Sequence, residues 1–205
     1  MSGGSASRSE LLALKEELRA MQEGYRFLDE KCLLLAAEML RELDRHARLL
    51  DELRTRRQAA REAARAALAV HGTLELSTFP SYDCAQMRLV RSRRSVIGVD
   101  LHQLALDGPD AALPPPVFPS AAADACREAY LSLCAAAAPL AACEGNLARL
   151  EHEYRRTVRR ASSLRDIVVP ETQAELKAID DQLAEQEREE ALHRARGQAF
   201  TPPSG

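Results

Sequence analysis

Aromatic side chains are scarce in this chain: phenylalanine, tryptophan and tyrosine together make up only 4% of its 205 residues, and tryptophan is absent. Aromatic residues supply much of the apolar area in globular cores, so a large globular core is not expected. Charged residues make up 29%, and alanine, leucine, arginine and glutamate, which favour helices, dominate both ends of the chain. This composition is typical of a coiled coil.

The chain also lacks an excess of either charge, since its formal net charge is −3. Nucleic acid is not an expected partner, because neutralising its phosphates requires a surplus of basic residues. The longest apolar stretches, such as Leu133 to Ala142, are too short and too rich in alanine to span a bilayer. The first residues, with Arg8 and Glu10 close to the first leucines, do not form a signal-peptide core. We expect a cytoplasmic chain without direct membrane insertion.

Motifs for chemistry are missing as well. The five cysteines are odd in number and form no C-x-x-C pair, so neither a disulfide framework nor a zinc site is expected. The five histidines stand apart from one another in sequence, and no phosphate-binding glycine loop or H-E-x-x-H motif occurs. We therefore expect no cofactor, no metal site and no catalytic residue, and the chain is not expected to be an enzyme.

A long apolar stripe begins near the start of the chain. From Leu11 onward, apolar residues recur at steps of three and four, which is the spacing of a heptad seam. The seam positions of this part are Leu11, Leu14, Leu18, Met21, Tyr25, Leu28, Cys32, Leu35 and Met39. Ser9 and Glu10 suit a helix start, and Gly72 suits a helix end. The pattern predicts one helix from residue 9 to about residue 70.

Three residues of this helix have open interpretations. Glu42 and His46 occupy seam positions where apolar residues are expected, and they either fix the register or simply face solvent. Gly24 either permits the close approach of a partner or is only tolerated, and we favour tolerance.

A connector of different composition spans residues 71–120. Its glycines and prolines, including the run Pro114 to Pro116, exclude a long helix. Two short stretches, Arg88 to Val90 and Ser95 to Val99, have β-branched content and are compatible with a hairpin or a small partner-binding lobe. The connector is therefore predicted to be an irregular lobe that joins two helical arms.

A second helical arm is predicted over residues 121–196. Its apolar residues again recur at steps of three and four, and its main seam positions are Leu147, Tyr154, Leu164, Ile179 and Leu183. Pro139 and Pro170 lie within this arm, and each removes a backbone hydrogen bond and crowds the preceding turn. We expect a helix start or break near Pro139 and a kink near Pro170.

The two arms are expected to pair with each other. Each leucine buried in a seam contributes roughly 1.5–3 kcal/mol, and a compact connector holds the arms at high effective concentration. An antiparallel pair within one chain is therefore favoured over a parallel homodimer. The predicted fold class is all-α, a long antiparallel two-helix coiled coil with a small connector lobe, and residues 1–8 and 197–205 are interpreted as flexible tails.

Two arginine-rich stretches lie on the arms, at residues 54–57 and 155–160. Few acids lie nearby, so each stretch is compatible with a positive collar that faces an acidic partner. An ordinary salt-bridged helix surface is the favoured alternative.

Three blocks of the sequence resemble a known family, the D subunits of V/A-type ATPases, over nearly the whole chain. The first block runs from Ser9 to Lys15 and continues through Leu18, Gly24, Leu28 and Lys31. The second is Ile97-Gly98-Val99. The third, and strongest, is Arg159 to Leu164 followed by Val169-Pro170, Leu176, Ile179, Leu183 and Glu187 to Glu189. Ser162, Arg165 and Cys32 depart from the usual residues, as expected of a diverged bacterial member.

The resemblance implies a mechanical function. A D subunit is a central rotor shaft that transmits torque between the membrane rotor ring and the catalytic A/B head of a proton- or sodium-translocating ATP synthase. The implied partners are the A and B subunits, the F subunit and the adaptor of the membrane ring, at the cytoplasmic face of the plasma membrane. The candidate partner contacts are Ile97, Gly98, Val99, Arg159 and Arg160. A free-standing coiled-coil adaptor or scaffold is the alternative function.

Overall fold

The structure, a computed structural model, describes residues 7–82, 87–108, 116 and 118–199. These residues divide into two compact units. The terminal unit combines the described residues up to Cys32 with those from Arg155 onward, and the hairpin unit lies between Leu33 and Tyr154. Cys84 and most of the proline run lie outside the described residues.

The expected fold class is confirmed, because the described chain is mainly helical and carries one small antiparallel hairpin in the connector. Helix α1 covers Arg8–Leu76, and helix α2 covers Ala121–Ser163. A π-helical turn, Leu164–Val168, leads into helix α3, Val169–Ala199. Strands β1, Arg88–Val96, and β2, Val99–Asp107, form the hairpin. The stretch Ser95 to Val99, which the sequence made compatible with a hairpin, spans the turn between the two strands.

Hydroxyl groups cap the starts of the first two helices. The cap of α1 is Ser7 rather than Ser9, since the Ser7 hydroxyl accepts a hydrogen bond from the Glu10 N–H at 3.2 Å. The Ser120 hydroxyl accepts from the Ala123 N–H at 3.3 Å at the start of α2. Near the other end of α1, Gly72 has φ of 66°, a left-handed conformation that interrupts the regular helix.

The helices of the terminal unit pair antiparallel. Arg8 forms an ion pair with Glu187 at 2.5 Å, and the Thr172 hydroxyl lies 3.5 Å from the Met21 sulfur. The earlier residue of α1 thus meets the later residue of α3, as expected for antiparallel helices. A Cβ atom placed on Gly24 would lie 4.0 Å from Leu164, which is ordinary contact, so the pairing of helices within this unit does not require a glycine there.

Antiparallel pairing also holds within the hairpin unit. The Arg56 guanidinium donates to the Ser132 hydroxyl at 2.7 Å, and the His71 ring lies 2.6 Å from the Ser120 hydroxyl. Leu35 is fully buried, and the other predicted seam residues on both arms are half-buried. The solvent-facing interpretation of Glu42 is wrong, because its side chain is buried between the helices. His46 lies 3.5 Å from Glu144.

The two prolines within the second arm have different effects. Helix α2 runs through Pro139 without interruption, so the break expected there is absent. Before Pro170 the helix widens into the π-helical turn, in which the Val169 N–H bonds to the Leu164 carbonyl. A wider turn gives room to a proline ring that would otherwise clash with the carbonyl four residues earlier.

The buried stripe of the second arm shifts at this turn. Before it, the buried and half-buried residues that follow heptad spacing are Thr157, Ala161, Leu164 and Val168; after it, they are Thr172, Leu176, Ile179 and Leu183. The second group lies one residue later than an unbroken heptad would place it. The extra residue of the π-helical turn absorbs this shift, so both groups face α1.

One described helical stretch, Ala121–Arg196, is long and apolar enough to cross a membrane by length and composition, with a mean hydropathy of 1.3 over its most apolar window. Its apolar character comes largely from small residues, and Ala123, Ala136, Ala138 and Ala142 are already buried within the hairpin unit. The expectation that this chain does not insert into a membrane stays a prediction.

Two adjacent leucines of α1 test the pairing. Leu35 is 0% exposed and Leu34 is 56% exposed. Leu35→Ala is expected to lower the free energy of unfolding by about 2–5 kcal/mol, because it leaves a cavity in the core. Leu34→Ala is expected to change it by less than about 0.5 kcal/mol. Urea denaturation followed by circular dichroism measures both, and equal losses would contradict the assignment of the buried face.

Candidate partner-docking site

The turn of the hairpin has an unusual backbone. Ile97 and Gly98 both have positive φ, 52° and 80°, which is the pattern of a type I′ turn. This turn matches the twist of the strands and favours Asn-Gly, whereas a β-branched residue at positive φ is strained. Ile97 is nevertheless half-buried and packs against the core beneath the hairpin. Its packing therefore offsets an unfavourable backbone conformation.

A small core joins the hairpin to the helices of its unit. Leu35 of α1, Val99 and Leu101 of β2, and Leu150 of α2 form a buried cluster. Of the three predicted contact residues at the turn, Val99 is part of this core, Ile97 packs on it, and only Gly98 is exposed. A partner that meets the turn would touch Gly98 and the exposed strand residues rather than Val99.

A buried ion cluster provides the second attachment of the hairpin. Glu38 and Glu42 lie one turn apart on α1, both almost completely buried. The Arg94 guanidinium, from β1, donates to Glu38 and lies 3.3 Å from Glu42. Arg41 donates to Glu38 at 3.0 Å, and Arg45 lies 3.7 Å from Glu42. The cluster compensates two buried carboxylates whose desolvation would otherwise be costly.

The pKa of Glu38 reflects this balance. Burial by itself raises the pKa of a carboxyl group, but the hydrogen bonds from Arg94 and Arg41 outweigh burial, so the pKa of Glu38 lies below its usual value. The hydrogen bond to Glu38 likewise raises the pKa of Arg94. Both groups therefore stay charged at neutral pH, and the contact between the hairpin and α1 is an ion pair.

Asn146 of α2 attaches the outer edge of β2. Its side-chain oxygen accepts from the His102 backbone N–H at 2.7 Å, and its amide nitrogen donates to the His102 carbonyl at 2.9 Å. Arg149 also donates to the Asn146 oxygen, at 2.6 Å. The buried amide thus satisfies two backbone groups that the edge of a sheet normally leaves unpaired. Burial and the nearby Arg149 charge lower the pKa of His102.

Arg159 and Arg160 lie in the other unit. Both are exposed on α2 within the terminal unit, beside Ala161, which is buried. Neighbouring Arg155 and Arg156 are exposed as well. This segment of α2 therefore carries four exposed arginines. The predicted contacts at the turn and at this collar therefore belong to separate units of the chain.

Apolar side chains outside the seam also reach the surface of the hairpin unit. Leu33 and Leu40, two turns apart on α1, are 67% and 64% exposed on the face opposite buried Glu38. A second apolar surface is a groove of about 330 Å³ beside the connector, lined in part by Phe79, Tyr82 and Tyr130. Exposed apolar surface of this kind is typical of a protein that binds partners.

No cluster of three metal-binding side chains occurs within the described ranges.

Sequence reasoning missed three parts of this site. Arg94, Asn146 and strand β2 were not predicted. Glu42 in the seam, with Glu38 one turn before it, and an arginine-rich stretch in the connector were a usable signal for the ion cluster. The alternation of Val99 and Leu101 with polar residues was a usable signal for β2.

Comparisons with known proteins identify relatives of this chain. The family model that describes the D subunit of ATP synthase matches residues 10–197. The V-type ATP synthase D subunit of Thermotoga neapolitana is 28% identical over 191 residues, covering 90% of this chain and 91% of that protein. The A-type ATP synthase D subunit of Desulfurococcus is 28% identical, covering 97% of this chain and 95% of that protein. The A-type ATP synthase D subunit of Thermococcus gammatolerans is 29% identical, covering 89% and 87%.

The family model covers nearly the whole chain, and the relatives match it in length. The chain is therefore a component of V/A-type ATP synthases. The chain belongs to the family of ATP synthase D subunits. The resemblance noted from the sequence is confirmed.

Two glycines give opposite predictions. Gly24→Ala is expected to raise the free energy of unfolding by about 0.5–1 kcal/mol, since alanine favours a helix and an added methyl group fits there. Gly98→Ala is expected to lower it by about 1–2 kcal/mol, because φ at Gly98 is 80°. Urea titration of both variants beside the wild type is the measurement. A stabilising Gly98→Ala would contradict the type I′ turn.

Cysteine alkylation tests the packing under the hairpin. The Cys143 thiol is fully buried and donates to Glu42; burial first, and that hydrogen bond second, raise the pKa of Cys143 to about 11. At pH 8, iodoacetamide should therefore label exposed Cys134 and leave Cys143 unmodified. Peptide mass spectrometry reads the sites, and denatured protein provides the control in which both react. Equal labelling of the two in folded protein would refute the packing.

Proposed function

We propose that the chain is the non-catalytic central shaft of a V/A-type ATP synthase or ATPase. In this role it transmits torque between a membrane rotor ring and the catalytic A/B head, and thereby couples proton or sodium movement to ATP synthesis or hydrolysis. The chain would act at the cytoplasmic face of the plasma membrane. Membership of the family of ATP synthase D subunits is the observation that carries this proposal.

The paired helices suit a mechanical role. In each unit the two arms pair antiparallel through buried and half-buried side chains. A helix pair resists bending and twisting better than a single helix, because its apolar seam must be opened for the helices to move apart. Torque transmission needs this kind of element rather than a catalytic pocket.

Different surfaces suit different partners. Arg159 and Arg160 present positive charge on the terminal unit, which suits acidic surfaces of the A and B subunits. The exposed leucines of α1 and the apolar groove lie on the hairpin unit, which suits the F subunit and the adaptor of the membrane ring. Assigning the surfaces to partners in this way is part of the proposal.

Affinity purification tests the proposal. A tagged chain expressed in its native cells should recover the A and B subunits together with the F subunit, identified by mass spectrometry. Arg159→Glu with Arg160→Glu should reduce recovery of A and B about tenfold relative to the F subunit, because rim charges contribute to association.

A matched variant controls for net charge. Lys177→Glu with Arg188→Glu makes the same charge change on exposed positions of α3 and should leave recovery unchanged. Recovery of the wild-type chain without A and B would contradict the shaft and favour a free-standing adaptor. Equal loss in the two double variants would contradict the specific role of the collar.

A further inference from the structure

The two outer edges of the hairpin differ in their hydrogen bonding. The edge of β2 is occupied at His102 by the Asn146 amide, which bonds both backbone groups of that residue. The outer edge of β1 is open within the described part of the chain, where no other strand pairs with it and every residue from Arg88 to Ser95 is exposed. Unpaired backbone groups along a strand edge are a template for another strand.

The register identifies which groups of β1 face outward. Val96 pairs with Val99 across the two-residue turn, and Arg93 pairs with His102. The backbone groups of His102 point away from β1, because they bond to Asn146. In an antiparallel ladder both members of such a pair point outward. The N–H and C=O groups of Arg93, and by alternation those of Arg91 and Leu89, therefore face the open edge.

The side chains of β1 indicate the charge of the incoming strand. Leu89, Arg91 and Arg93 share one face, because side chains alternate along a strand. Strand β1 has four arginines and no acidic residue. Arg94 is neutralised by Glu38 and Glu42, whereas the contact of Arg93 with Asp100, at 3.4 Å, lies on the exposed surface. Arg91 and Arg93 therefore remain available to carboxylates of a partner.

The arginines of β1 argue against a second copy of the same strand as the partner at this edge. A second copy of β1 would bring its own arginines opposite Arg91 and Arg93, and like charges directly across a sheet are destabilising. A neutral strand would leave the arginines without compensation. An extended segment with acidic residues at every second position places carboxylates on the face that carries both arginines.

We propose that the open edge of β1 binds an extended acidic segment of a partner protein as a third strand. Backbone hydrogen bonds to Leu89, Arg91 and Arg93 supply affinity, and carboxylates at alternate positions pair with Arg91 and Arg93 to give specificity. The surface is built from the hairpin alone, so this inference goes beyond the shaft and does not depend on it.

A synthetic peptide tests the proposal on the isolated full-length chain. The probe is a blocked peptide of alternating threonine and glutamate, nine residues long to match the nine residues of β1, with a fluorophore at its start. Fluorescence anisotropy at low salt should detect saturable binding with a dissociation constant below about 1 mM. A peptide with lysine in place of glutamate should bind at least about tenfold more weakly.

Variants separate charge from backbone pairing. Arg91→Glu with Arg93→Glu should weaken binding of the glutamate peptide at least about tenfold. Arg91→Pro should have a similar effect, because it removes an outward N–H while leaving the bonds to β2 in place. Lys177→Glu with Arg188→Glu on α3 is the charge control and should bind the peptide like the wild type. Circular dichroism verifies that each variant is folded.

A peptide that is N-methylated on alternate residues is the decisive control, because it keeps the charges but cannot complete the ladder. Equal binding of this peptide would overturn strand addition, and so would the absence of binding up to about 1 mM. Binding to vesicles of phosphatidylserine that the Arg91/Arg93 double variant abolishes, with no peptide binding, would make the strand a membrane contact instead. None of these outcomes bears on the copurification of A and B subunits. Failure of strand addition can therefore be distinguished from failure of the proposed shaft function.

Discussion

Neither long arm can leave its apolar stripe in water, and burial of that stripe against an antiparallel partner is the constraint on which the other features depend. A fully buried leucine such as Leu35 contributes about 2 kcal/mol, and the stripe repeats such contacts along both arms. Because pairing fixes which face of α1 is covered, it also fixes which residues remain on the surface. The geometry of the seam therefore places the exposed leucines and the arginine collar on the surface.

The polar stretch of the seam has a structural use. Glu38 and Glu42 would weaken an ordinary coiled coil, since each is a buried carboxylate. Here they receive Arg94 from the hairpin, while Asn146 on the other arm holds the opposite strand. A buried ion pair contributes little net stability, but it specifies one arrangement. The hairpin is thus fixed to both helices by groups that an all-apolar seam could not offer.

Much of the fold could be predicted from the sequence, because heptad spacing is a local pattern that needs no knowledge of the partner. The two arms followed from it, the connector followed from its glycines and prolines, and the family followed from three blocks of sequence resemblance. The contact of Arg94 with Glu38 joins residues 56 positions apart and could not be found by spacing. Ile97 at positive φ contradicts local preference, since packing on the core decides its conformation. The roles of Arg159 and Arg160 depend on contacts with a partner protein, and such contacts cannot be predicted from one sequence.

The wide turn ahead of Pro170 also determines where this chain can change in length. An added residue in a regular helix rotates everything beyond it by about 100°, which would carry Ile179 and Leu183 away from α1. At Leu164–Val168 an extra residue is held as a bulge, so the far part of the arm keeps its orientation. Insertions and deletions of one residue among relatives are accordingly expected to gather at this segment, because elsewhere in the paired arms they would rotate the buried stripe away from its partner.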